Sequence, residues 1–494
     1  MEDHIYNPLE VTFHLEPIII IVIDLCGGAG KNWNRVTIET LPDNTLLEIF
    51  DFYRVDAVDH SRGRPWKWHR LAHVCRRWRC IVYTSPRRLD LQILCKSGAP
   101  IKRILGTWPT LPLVLRFQGN ERSKRLPDNV MIALRHPDRV REINLSLTSP
   151  VIGTIAELVQ VPFLTLKSIQ MASKDAEEPP ALGNFLGGSA PLLEEIDLGG
   201  ITVPFPAMRR LLLSTSHLSW LWLLKIPNTC YFSPEDLVAC LSALVHLRRL
   251  WVGFCSPASR PNPSIMTRPP SPERTTLPSL VALHFDGACE YLEGFVARID
   301  CPVLATLWIK YFNQLIFEIP QLVQFISRVD GLKSPSEVIV QPVGYSTMSL
   351  LRPRNGTRIR GECCFRIPCR QLDWQLSFLT QILDPLSPLL RRVHVLSIKS
   401  SNLAIRKDWE DVDTTQWLEL FQPLSQTSDI RVTVEKLVPD VMRALVSEDM
   451  TTGTLPRLTS LHLQGVRKSR FTTEAAERFV ATRKLAGRNI HFSG

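Results

Sequence analysis

The chain lacks the common signatures of catalysis. It holds no G-x-S-x-G elbow, no H-E-x-x-H pair and no EF-hand loop, which removes the usual arrangements for serine or zinc hydrolysis and for calcium capture. Its His, Asp and Ser residues are scattered, and sequence order brings none of them together. None of the twelve cysteines forms a C-x-x-C pair, and Cys363, Cys364 and Cys369 lack the paired spacing of a zinc site. They read as reduced thiols, mostly core. A long apolar run is also missing. Ile18 to Leu25 is short, and Asp24 interrupts it, so it does not span a bilayer. Glu2, Asp3 and Glu10 stand where a signal peptide carries positive charge. The expectation is a chain with no catalytic residue, no cofactor, no metal and no membrane, located in the cytoplasm, the nucleus or both.

Runs of like charge are scarce as well. The net charge is +10, yet the bases are dispersed apart from Arg76-Arg77-Trp78-Arg79 and Arg87-Arg88. That pattern reads as solvated faces and not as a nucleic-acid patch. A Gly-rich stretch, Cys26-Gly27-Gly28-Ala29-Gly30-Lys31-Asn32, imitates a phosphate loop. Leu25 occupies the place of its first glycine, and Asn32 replaces the hydroxyl residue that holds Mg²⁺. No nucleotide binding is expected. Residues 1–35 read as a poorly ordered appendage or an extra strand without an assigned role.

What the chain does have is apolar content arranged in patterns. Of its 494 residues 45% are hydrophobic and 21% charged, a balance that folds. Length suggests about three ordinary domains unless a repeat array carries the chain.

From Thr40 to Pro86 two amphipathic helices are expected. Thr40 and Asp43 have the spacing of a capping box, and Pro42 suits a first helical turn. Leu46, Ile49, Phe50 and Tyr53 make one stripe, with Leu47 off it. Leu71, Val74, Cys75 and Trp78 repeat that spacing in a second helix. Two short helices do not bury both stripes alone, which leaves apolar surface for a partner. The plainer reading is a helical hairpin at a domain end. Val55 to Lys67 reads as an insertion that loops out between the helices.

Beyond residue 135 the pattern apolar-x-x-apolar-x-apolar recurs. Copies fall at Val140/Ile143/Leu145, Leu166/Ile169/Met171, Leu193/Ile196/Leu198, Leu218/Leu221/Leu223, Leu247/Leu250/Val252, Leu280/Leu283/Phe285 and Leu304/Leu307/Ile309. Later copies are Val393/Leu396/Ile398 and Leu458/Leu461/Leu463. The first seven start 24 to 33 residues apart, close to a leucine-rich-repeat period. The interval from 304 to 393 has room for two hidden copies, one of them Pro335/Val338/Val340, and a further copy fits near Ile430 to Val434. One copy does not bury its own face, but neighbours complete a core together. The competing architecture is a compact α/β domain. Pro234 to Leu244 and Gln321 to Arg328 read as helical returns. The Pro-rich stretch within residues 256–278 reads as a loop, and its Ser271-Pro272 is a weak phosphorylation signal.

Strand alternation then assigns the opposite face. Its middle row reads Asn144, Gln170, Asp197, Trp222, Trp251, His284, Trp308, with Trp220 beside Trp222. Tryptophan is enriched at binding hot spots, so Trp220, Trp222, Trp251, His284 and Trp308 are candidate target-binding residues. The alternative is that the Pro-rich loop folds back and covers them.

Leu-Pro-x-x-x-Leu-Leu-x-x-Ile-Phe from Leu41 to Phe50, and Val-Cys-Arg-Arg-Trp-Arg from Val74 to Arg79, resemble an F-box. With irregular repeats behind it, from which the asparagine of a strict leucine-rich repeat is mostly missing, most of the chain resembles the F-box/leucine-rich-repeat proteins numerous in mushroom-forming fungi. Strings such as Arg70-Leu71-Ala72-His73-Val74-Cys75-Arg76-Arg77-Trp78 and Phe185-Leu186-Gly187-Gly188-Ser189-Ala190-Pro191 share that look. The resemblance implies an α/β fold: an F-box at 36–90, a linker at 91–135, and a leucine-rich-repeat solenoid with a parallel strand face at 136–494. It implies that Leu41, Pro42, Leu46, Leu47, Ile49, Phe50, Leu71, Val74, Cys75 and Trp78 dock on Skp1 and through it on a cullin. The repeats would hold a protein substrate for ubiquitin transfer by other subunits. The alternatives are a repeat scaffold that joins no ligase, and Skp1 binding for a purpose other than degradation.

Overall fold

The structure is a computed structural model. It describes residues 38–55, 68–85, 89, 91–95, 101–107, 110–118, 128–175, 179–257, 273–343, 345–353, 359–369, 371–399, 413–446, 455–464, 470–485 and 487–493. The Gly-rich stretch at 26–32 and most of the Pro-rich loop lie outside them. The chain divides into two compact units, Met1–Leu91 and Gln92–Gly494.

The first unit is helical, with helices Asp43–Val55, Trp68–Val74 and Arg76–Thr84. Pro42 stands just before the first helix, and its carbonyl accepts the N–H of Leu46. The expected single second helix is two. Cys75 is extended and caps the third helix, its sulfur accepting the N–H of Trp78 at 3.4 Å. The break turns the expected stripe apart: Leu71 and Trp78 are buried, while Val74 and Cys75 are exposed. Leu47, expected off the stripe, is buried beside Leu46 and Phe50. Phe50 meets Trp78 with ring centroids 4.7 Å apart. Arg77 clasps the start of the first helix, donating to Asp43 and to the carbonyl of Leu41.

The second unit is mixed α/β and built on one long, mostly parallel sheet, as expected of a leucine-rich-repeat-like solenoid. Its strands are β1 (Ile93–Cys95), β2 (Leu113–Gln118), β3 (Val140–Leu147), β4 (Ser168–Ser173), β5 (Glu195–Gly199), β6 (Trp220–Ile226) and β7 (Arg249–Phe254). Then come β8 (Thr275–Thr276), β9 (Ala282–Gly287), β10 (Ile299–Asp300), β11 (Thr306–Tyr311), β12 (Glu337–Val343), β13 (Tyr345–Pro353) and β14 (Ile359–Ile367). Four more close the array: β15 (Val395–Ile398), β16 (Asp429–Val432), β17 (Ser460–Leu463) and β18 (His491–Ser493). Among the described residues, strands β8 and β10 pair separately, and the other sixteen form the main sheet.

Every apolar residue of the seven regular copies is buried, from Val140 through Ile309. Equivalent leucines stand opposite one another, as in Leu221 against Leu250 and Leu283 against Leu307. Burying one such side chain contributes about 1.5–3 kcal/mol, and each needs its neighbour in the next copy to do so. Return helices Pro234–Leu241 and Pro320–Arg328 fall where expected and bury Leu237, Leu241, Leu322 and Phe325.

Two expectations are corrected. Residues 91–135, read as a linker, supply β1 and β2, which pair in parallel, and β2 pairs in parallel with β3. The interval from 304 to 393 does not hold two regular copies. After β11 the chain passes over two places to β12, turns back through antiparallel β13, and returns as β14 beside β11. Val338 and Val340 of the expected hidden copy are buried in β12. The fifteen-residue helix Leu372–Leu386 follows this reversal, longer than the eight- and nine-residue returns Pro234–Leu241 and Pro320–Arg328.

Candidate functional site

Parallel pairing without slippage sets side chains of equal position in a line across the strands. Asn144 stands opposite Gln170, Gln170 opposite Asp197, and Asp197 opposite Trp222. Trp222 stands opposite Trp251, Trp251 opposite His284, and His284 opposite Trp308. Strands in a sheet lie about 4.8 Å apart, which is a separation at which neighbouring rings and amides meet.

The line has two chemistries. Its first part is a ladder of polar side chains. Asn144 Nδ2 donates to Gln170 Oε1 at 2.5 Å, and Gln170 Nε2 donates to Asp197 Oδ2 at 2.8 Å. Partial burial raises the Asp197 pKa, and the Gln170 hydrogen bond opposes that rise.

Its second part is aromatic. Trp220 and Trp222 stack with centroids 5.7 Å apart, and Trp222 meets Trp251 edge-on at 5.6 Å. His284 lies 4.9 Å from Trp251 and 5.5 Å from Trp308. Such pairs contribute about 0.5–1.5 kcal/mol beyond their burial. Burial lowers the His284 pKa, and the nearby Arg249 charge lowers it further, so this imidazole is neutral at physiological pH.

Charged groups border the rings. The Arg249 guanidinium lies 4.3 Å from the Trp220 ring centre, a cation–π placement. Lys310 pairs with Asp286 at 3.6 Å. Burial raises the Asp286 pKa, and Lys310 acts against that. Arg249, Asp286 and Lys310 were absent from the sequence-based candidates. The same alternation, read two residues either side of Trp251, His284 and Trp308, finds them.

Trp220, Trp222, Trp251 and His284 are half-buried and Trp308 is 41% exposed. They are neither core nor fully wet. Of the Pro-rich loop at 256–278, expected to cover them in the alternative reading, residues 258–272 lie outside the described residues. The line ends at Cys364, which stands opposite Trp308 and is buried, its thiol pKa raised by that burial.

The ten residues assigned to Skp1 docking separate by burial. Leu46, Leu47, Phe50, Leu71 and Trp78 are buried, Leu41 and Ile49 half-buried, and Pro42, Val74 and Cys75 exposed. Phe52, not assigned, is 71% exposed. Among the described residues of this unit the large exposed apolar side chains are thus Phe52, off the stripes, and Val74, on the second one.

No protein-family model matches the chain. No curated protein matches it either. Among solved structures the chain is similar to the leucine-rich repeat-containing protein LegL7 from Legionella pneumophila, at 10% identity, with 81% of this chain and 99% of that chain covered and a TM-score of 0.26.

Proposed function

We propose that the chain is a non-catalytic protein-binding subunit whose target lies on the outer face of the sheet, and that its F-box-like helices dock on Skp1. In this reading it is the substrate receptor of a cullin-based ubiquitin ligase in the cytoplasm or nucleus. The observation that carries the target-binding half is the unbroken aromatic run from Trp220 to Trp308, half-buried as far as His284, exposed at Trp308 and bordered by charge. Large rigid rings bind at little entropic cost and dominate interface energetics. The ligase half rests on the F-box resemblance.

One observation favours a second reading, a repeat scaffold that joins no ligase. Leu46, Phe50, Leu71 and Trp78 are already buried within the chain, as in a hairpin that needs no partner.

Co-purification with Skp1 separates the two. Wild type is compared with a Pro42→Ala, Val74→Asp variant, in which only exposed residues change. Retention by wild type and loss by an equally folded variant supports the ligase receptor. Absence of Skp1 from both removes the ubiquitin assignment and leaves the scaffold. Proteins retained by wild type and lost on Trp222→Ser, Trp251→Ser define the target of the aromatic run.

A further inference from the structure

We propose that a cleft at the chain reversal, between the loop after β11 and the helices Leu372–Leu386 and Thr414–Phe421, takes an extended peptide from a partner protein. The recognised feature is an apolar side chain next to a lysine or arginine. The cleft is about 300 Å³, the lower end of the range for ligand sites and enough for one or two side chains.

Its shape is held before anything binds. Gln314 accepts the N–H of Cys289 and donates to Glu290. Gln381 accepts the N–H of Phe317 and donates to the carbonyl of Leu315. Four hydrogen bonds thus fix the loop in a form that leaves Leu315 73% and Ile316 69% exposed. Across the cleft, Trp374 is 42% exposed. Apolar groups held out by a pinned loop offer contact without an ordering cost on binding.

The polar lining selects the occupant. Gln416 Oε1 is buried with no hydrogen-bond partner among the described residues, and a buried acceptor without a donor is costly. Gln416 lines the cleft, and turning its amide outward lets a peptide N–H satisfy that oxygen. Among the described residues lining the cleft, Asp373 is the single charged one. A lysine or arginine beside the apolar anchor finds its carboxylate. Trp374, the next residue, adds a ring face for that cation.

The test uses the full chain and labelled, N-acetylated octapeptides with Leu-Arg, Leu-Lys, Leu-Gln or Leu-Glu at the centre, read by fluorescence anisotropy. The expected order places Leu-Arg and Leu-Lys above Leu-Gln and Leu-Glu last. Trp374→Ala weakens binding about tenfold or more, as for an aromatic anchor. Asp373→Asn removes the preference for a base while apolar binding persists. Leu315→Ser, Ile316→Ser weakens all four peptides. Trp222→Ser, Trp251→Ser changes none, which keeps the cleft distinct from the aromatic run. Circular dichroism confirms that each variant folds. The proposal is overturned if no peptide binds, if Leu-Glu binds best, or if binding ignores Trp374 and Asp373.

Discussion

Gln314 Oε1 accepts the backbone N–H of Cys289 at 2.8 Å, so the loop leaving one repeat caps the helix of the repeat before it. The residue preceding that helix, Ala288, has no side chain able to cap it. Asp175 does the same five copies earlier in the array, accepting the N–H of Ser149 at 2.9 Å. Neighbouring repeats are thus joined by polar caps as well as by leucines. Gln314→Leu keeps the volume and removes the cap. It is expected to lower stability by about 1–3 kcal/mol, the cost of leaving a buried donor unpaired, measured by chemical denaturation.

Glu293 runs the same device in the other direction. Its carboxylate accepts the N–H groups of Gln321 and Leu322, both at 2.8 Å. Burial nevertheless pushes its pKa from 4.5 up to about 7. A carboxyl with a raised folded-state pKa stabilises the fold fully below its unfolded value, and that contribution is lost as pH rises through 7. Stability of the wild type should therefore fall between pH 4.5 and 7 by more than that of Glu293→Gln. Equal slopes in thermal melts across that window contradict the assignment.

The aromatic run and the core beneath it make opposite forecasts. Leu221, next to Trp220 and Trp222 in sequence, is fully buried on the opposite face of the strand, while their rings are half-buried. Leu221→Ala is expected to cost about 2–5 kcal/mol, as for other buried leucines. Trp222→Ser should cost less, because it loses ring contacts on a partly wet face. If the Trp222 substitution unfolds the chain while Leu221→Ala does not, the run is core and its binding role falls.

In the helical unit the ring pair Phe50–Trp78 joins the first and third helices. Phe50→Ala should lower the melting of this unit by the about 3–5 kcal/mol typical of a lost core phenylalanine. Phe52→Ala, on the exposed side of the same helix, should leave the melt unchanged.

The regular part of the array was legible because burial on one face imposes a fixed spacing. Leu218, Leu221 and Leu223 announce β6 without any tertiary information. The line of outward residues was legible for the same reason, down to its members Asp197, Trp222 and His284. Strand direction was not, since alternation reads the same along a parallel strand and an antiparallel one. That is why β13 and β14 escaped notice. The helix break at Cys75 was hidden too, because Leu71, Val74, Cys75 and Trp78 keep helical spacing straight across it. The cleft lining was illegible for a different reason. Gln314, Trp374 and Gln416 are far apart in sequence, and only the reversal brings their elements together.

That reversal also sets an order of events for a chain made from its N-terminus. Through β7, each main-sheet strand emerges next to one already in place and can be added to it. β12 emerges with no such neighbour, because both strands that flank it, β13 and β15, are synthesised later. The open side of β11 waits as well, until β14 arrives about fifty residues on. Growth of the array therefore halts at β11 and restarts only when the three-strand meander docks as a block. The nascent chain carries an unpaired sheet edge for that interval, and this is the stage at which another strand competes for it.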